Sequence, residues 1–418
     1  MLRWLYGKWM YEWEYALTTA DSNRIERPLE WGFDHLADFG GAEAAAAVER
    51  GELTAQAAMA ALNQRIIDSV YAPANDPSGS SFYDYSTPTD FRIELRHPAL
   101  YPTNVRPETI AHDRELRRQA EVGELRRAPF LRFTSAVRSG YPENDQVNAR
   151  WYEARPKHGR PRQAMIVMPQ WNADGISHNV FGDLFNSFGV SVLRLSKPYH
   201  DIRRPAELER ADYAVSANIG RTINACRQAV ADVRSCVDWL AAQGYEQFGV
   251  LGTSLGSCYA FLAAAMDPRI RVCAFNHAST HFGDVVWTGQ STRHIQSAFE
   301  HAGLTQDDVR PLFAGISPAH YMQPFAAPGQ RRRTLVIYAP YDLTFIKALS
   351  LDVLRNFDAH HVNYVAKVLP CGHYTTGETP YKYLDGWYLG SFVYGAFKKL
   401  RAELAATPAL ADAAKARA

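Results

Sequence analysis

The chain has 418 residues, of which 47% are hydrophobic and 21% charged, and a formal net charge of +1. This length and apolar fraction support one large α/β domain with an extension, or two domains, and exclude a largely disordered chain. The balanced charge provides no field to gather nucleic acid or an anionic membrane, so neither is expected as a partner.

Five cysteines, an odd number with no C-x-x-C pair, read as buried free thiols in a reducing compartment. The first ten residues contain no uninterrupted apolar run and no small-residue cleavage site, so a signal peptide is not expected. No window reaches the roughly 18 apolar residues needed to span a bilayer. The expected location is cytoplasmic.

Residues 1–127 read as a helical N-terminal extension without strand alternation. In it Leu5, Trp9, Trp13 and Leu17 recur at helical spacing. That stripe is expected to pack on the main body, with peripheral contact to a membrane surface as the alternative. A second helical stretch covers about 43–69, and 72–81 is a loop by composition. From about residue 128 strands and helices alternate, up to residue 406. Strands are expected at 131–139, 147–153, 164–168, 190–195, 248–251, 270–275, 334–338 and 364–369. Helices are expected at 222–242, 258–266, 345–357 and 386–404. Alternation of this kind predicts a mainly parallel, doubly wound sheet with helices on both faces. Residues 280–330 interrupt it with helical pieces and no strand, and read as a small helical cap insertion. The run Arg331-Arg332-Arg333 reads as a solvated loop, and 407–418 as a flexible tail.

The chemistry is carried by Gly252-Thr253-Ser254-Leu255-Gly256. An apolar strand precedes it and an apolar helix follows. A serine at such a strand–turn–helix tip sits in strained backbone, and flanking glycines leave room for it. A serine hydroxyl is a poor nucleophile unless a base takes its proton and an acid orients the base. Both partners follow in chain order, each just past a strand's carboxyl end. Asp342 comes after strand 334–338 and His373 after strand 364–369. Ser254 is thus the expected nucleophile, His373 the base and Asp342 the orienting acid. Oxyanion donors are expected from the backbone N–H of Leu255 and from the loop after strand 164–168, at Trp171 or Gln170. Tyr199, His200 and Arg203 lie at the same sheet edge and either line the pocket or anchor the cap. His277 and His281 have a spacing that would suit a metal on a helix, but no third ligand is evident, so no metal and no cofactor is expected.

On Gly252–Gly256, Asp342 and His373 the stretch from about 130 to 404 resembles the α/β-hydrolase superfamily. Two stretches, Lys197-Pro198-Tyr199-His200-Asp201-Ile202-Arg203-Arg204-Pro205 and Ala278-Ser279-Thr280-His281-Phe282-Gly283-Asp284-Val285-Val286-Trp287-Thr288-Gly289, are similar to the abhydrolase-domain-containing 18 group. The resemblance implies hydrolysis of a small-molecule carboxylic ester or thioester through an acyl-enzyme. Peptide cleavage or acyl transfer on the same residues is the alternative, as is a non-catalytic ligand binder.

Overall fold

The computed structural model describes residues 2–72 apart from Ser22, 80–97, a few residues between 114 and 124, and 127–405 apart from 157, 328 and 330. The tail 407–418 and most of the loop 72–81 lie outside the described residues.

The apolar runs assemble into a nine-stranded sheet. Its strands are β1 (Arg92–Arg96), β2 (Ala128–Thr134), β3 (Gln146–Tyr152), β4 (Arg162–Met168), β5 (Val190–Ser196), β6 (Tyr245–Thr253), β7 (Ile270–Asn276), β8 (Arg333–Tyr338) and β9 (Tyr364–Val368). Their order is β1-β2-β3-β5-β4-β6-β7-β8-β9. The strands from β5 to β9 in that order pair in parallel, and β1, β2 and β3 add antiparallel pairings at one edge. The expected doubly wound parallel sheet is therefore present. Central strands are apolar on both faces because helices cover both. In β6, for example, Val250 joins one apolar cluster and Leu251 the other. All five cysteines are buried and free.

Three expectations are corrected. The extension is not strand-free, since β1 pairs with β2. Its short sequence, Arg-Ile-Glu-Leu-Arg, is largely exposed and carries little apolar signal. Along the first helix, Leu2–Thr18, Leu5 and Trp9 are 48% and 50% exposed, and the buried face is Met10, Glu14 and Thr18. Arg332 is not solvated. It is buried and donates to the carbonyls of Ile270 (3.0 Å), Phe325 and Ala264, tying β8 to the helix that follows β6.

Between β7 and β8 the chain is helical, with Phe282–Thr288, Arg293–His301, Gln306–Leu312 and Met322–Phe325 as its main pieces. The extension is fastened to this insertion. Asn63, fully buried on the Ala55–Tyr71 helix, donates to Leu312 O at 2.9 Å and accepts from Gly315 N at 2.8 Å. Among the described residues no helix is long and apolar enough to cross a membrane.

Candidate active site

β6 ends at Thr253 and a helix, Leu255–Met266, starts two residues later. Between them Ser254 has φ 57° and ψ −122°, a conformation that costs an L-residue energy and persists when its surroundings over-determine it. They do so here. Ser254 N donates to Asn276 O at 2.8 Å at the end of β7. A Cβ on Gly252 would meet Gly256 O at 2.1 Å, and one on Gly256 would meet Met168 O at 2.3 Å and Pro169 O at 2.7 Å. The elbow is thus packed against the end of β4 with no room for a methyl group. Gly256→Ala is expected to push the helix off β4 and lower stability by about 1–3 kcal/mol, read as a lower urea midpoint.

The two other residues singled out by the sequence meet on the adjacent loops. Asp342 is fully buried, and its Oδ1 accepts from Thr344 N and Phe345 N, both at 2.7 Å. Its Oδ2 accepts from His373 Nδ1 at 2.9 Å. The Phe345 ring stacks on His373 with centroids 5.4 Å apart and planes 9° from parallel. Ser254 and His373 line one cavity of about 570 Å³. Burial alone would raise the Asp342 carboxyl. The positive character of His373 and the hydrogen bonds from His277 and His373 outweigh it and hold the group well below the usual carboxylate range. For His373, burial works to lower basicity, and the Asp342 charge and hydrogen bond, with Glu14, overcome it, so the imidazole is raised above its ordinary value.

Leu255, Gln170 and Trp171 line the same cavity. Leu255 opens a twelve-residue helix, so its N–H has no intrahelical acceptor. Among the described residues, the N–H groups of Gln170 and Trp171 also meet no protein acceptor. The loop carrying them is pinned from behind. Lys197 Nζ donates to Gln170 O at 3.0 Å, Asn172 N donates to His200 Nε2 at 3.2 Å, and Trp171 Nε1 donates to Ala211 O at 2.9 Å.

Tyr199, His200 and Arg203 are therefore not placed on the cavity wall; each is buried behind the loop. Tyr199 N donates to Asn144 Oδ1, and Arg203 donates to Ser196 O and pairs with Asp232. His277 and His281 do not face each other as a metal pair. His277 faces Asp342, and the His281 ring lies 6.4 Å from that of His320.

Several polar residues at the site were not read from the sequence. Glu14, on the first helix, is fully buried and accepts from Tyr374 N at 2.8 Å and from Thr375 N at 2.9 Å. Gly372 is needed there, because a Cβ would lie 2.4 Å from the Glu14 carboxylate. Burial raises the Glu14 carboxyl, and the Tyr374 and Thr375 N–H groups partly offset this. Asp385, on the Tyr381–Ala405 helix, lines the cavity and accepts from Asn276 Nδ2 at 3.0 Å. Burial pushes it up to about 7. The insertion adds Phe282, Val285 and Val286 to the cavity wall. A wall of mixed apolar and polar groups around a buried hydroxyl suits a small organic molecule.

Residues 143–308 match the family described as alpha/beta hydrolase domain containing 18. The match includes Ser254 and ends before Asp342. Acetyl xylan esterase from Paenibacillus sp. R4 is 11% identical with a TM-score of 0.47, over 63% of this chain and 83% of that one. Acetyl xylan esterase 1 from Thermoanaerobacterium sp. JW/SL YS485 is 14% identical with a TM-score of 0.49, over 77% and 99%. An acylaminoacyl peptidase from Pyrococcus horikoshii is 10% identical with a TM-score of 0.45, over 70% of this chain and 45% of that one. No curated protein matches the chain.

Proposed function

We propose that this chain, which has the α/β-hydrolase fold and belongs to that superfamily, is a serine hydrolase that cleaves a carboxylic ester or thioester. The observation that carries the reading is the strained Ser254 at a helix N-terminus, in one cavity with a His373 that is hydrogen-bonded to a buried Asp342. In this reading Ser254 Oγ attacks the substrate carbonyl while His373 Nε2 takes its proton. Asp342 holds His373 with Nδ1 protonated, which leaves Nε2 free to accept. The oxyanion that develops is met by the N–H of Leu255 and by that of Trp171 or Gln170, with the positive end of the Leu255–Met266 helix behind it. His373 then returns the proton to the leaving group. Water repeats the cycle on the acyl-enzyme and releases the acid. The chemistry uses this chain's own residues and calls for no cofactor.

The test is a fluorophosphonate probe together with p-nitrophenyl esters of increasing chain length and a peptide substrate. Labelling at Ser254 with ester turnover is the expected result. Peptide turnover exceeding ester turnover would move the reading to a peptidase, and trapping of the acyl group by an added alcohol in preference to water would move it to acyl transfer. A protein that binds esters tightly but neither labels nor turns over would be a binder.

The pH dependence has a definite sign. The base must be neutral to accept the serine proton, and Asp342 and Glu14 raise its conjugate acid above the ordinary imidazole value of 6.5. kcat/KM is therefore expected to fall as pH drops, with the acid limb centred above 6.5. A limb centred below that value would contradict the assignment of His373.

A further inference from the structure

His277 is the residue after β7 and is fully buried, with φ 56°. A bulky residue in the left-handed region is uncommon and points to a constraint imposed from outside it. Its contacts reach the carriers of Ser254, Asp342 and His373. Its carbonyl accepts from Ser257 Oγ at 2.9 Å, on the helix that starts after Ser254. Its Nδ1 lies 2.8 Å from Asp342 Oδ2, the oxygen that also takes His373 Nδ1. Its Nε2 lies 3.1 Å from Thr376 Oγ1, and that hydroxyl also stands 2.8 Å from Gly372 O beside His373. The two imidazole rings meet edge to face with centroids 4.6 Å apart.

One carboxylate oxygen flanked by two imidazole Nδ1 atoms implies that both carry the proton there, since a bare nitrogen would repel the oxygen. Burial, the largest influence on His277, lowers its basicity despite the hydrogen bond to Asp342. It is thus a neutral donor. When His373 becomes positive, Asp342 must stabilise it with a charge that is partly engaged by His277.

We propose that His277 is a positioning residue for His373: it fixes the plane of the Asp342 carboxylate and sets how much of that charge reaches the base. This rests on the serine hydrolase reading. The ionisable groups facing His373 are His277 from the turn after β7, Asp342 from the loop after β8, Glu14 from the first helix, Tyr374 from its own loop, and Asp385 from the last helix across the cavity. Asp385 titrates near 7, so the pH profile is measured in an Asp385→Asn background.

Removing the His277 donor leaves Asp342 entirely to His373. His277→Leu is expected to move the acid limb of kcat/KM up by about half a pH unit or more. It should also lower kcat by about 10- to 100-fold as the carboxylate loses an anchor. His277→Asn tolerates the positive φ and can offer an amide N–H to Oδ2, so it should return the limb to the parent position. A folded Leu variant with an unmoved limb would overturn the proposal, as would an Asn variant shifted as far as Leu. Should Leu fail to fold, proton NMR of His373→Ala decides. One low-field imidazole proton, from His277 on Asp342, is expected, and its absence overturns the sharing. Failure of the parent protein to label or turn over would strike the hydrolase reading itself, while that NMR signal would still test the shared oxygen.

Discussion

Ser254→Ala is expected to lower ester turnover by about 10⁵-fold or more and to abolish fluorophosphonate labelling. The size of the effect follows from how such residues act. Nucleophile, base and acid work as one unit, so deleting the attacking oxygen costs about as much as deleting all three. The variant is informative because nothing else changes. Alanine keeps the Cβ that serine places at φ 57° and ψ −122°, the backbone bond from residue 254 to Asn276 O does not involve the side chain, and Gly252 and Gly256 already clear the space around it. Its thermal midpoint should match that of the parent. Full turnover in a folded Ala variant would end the assignment of Ser254 as the nucleophile, whether or not labelling is lost.

Asp342→Asn is expected to lower kcat by about 10⁴-fold through a forced change of tautomer. Two backbone N–H groups at 2.7 Å claim Oδ1. The Asn carbonyl must therefore stay on that side, which turns its NH₂ toward the two imidazoles that Oδ2 receives in the parent. A donor then faces donors. His373 relieves the conflict by moving its proton to Nε2, the nitrogen that has to accept from Ser254. Because the site is buried, the mismatch also costs about 1–3 kcal/mol of stability, visible as a lower denaturation midpoint. Activity within tenfold of the parent would show that Asp342 does not orient the base.

What the sequence made legible was whatever lies next to a strand end. Ser254, Asp342 and His373 each follow an apolar run by a few residues, so chain order and strand position were enough to bring them to one sheet edge. Glu14 has no such signature; His277 has it, one residue past β7, but its spacing to His281 suggests a metal ligand and not a partner of Asp342. Glu14 meets partners 360 residues away, and a lone glutamate on a helix ordinarily reads as a solvated face. The error in the first helix has the same origin. Leu5, Trp9, Trp13 and Leu17 form a sound apolar stripe, but burial follows what the His373 loop requires, which is a carboxylate. Tyr199, His200 and Arg203 were placed at the correct edge, while their depth behind the Gln170–Asn172 loop depends on packing that periodicity does not encode. β1 was missed because its pairing partner, and not its composition, makes it a strand.

The hold of Glu14 on Tyr374 and Thr375 has a consequence in time. Translation makes the first helix 360 residues before the Tyr374 peptide group that Glu14 binds, which follows β9. Until then its carboxylate is without those partners, and in the proposed reading Ser254 has been made before its base exists. If the serine hydrolase reading holds, hydrolytic power arrives with one late step of synthesis, when the loop carrying His373 closes over a carboxylate that was made long before it, and a nascent fragment ending short of that loop is expected to be inactive.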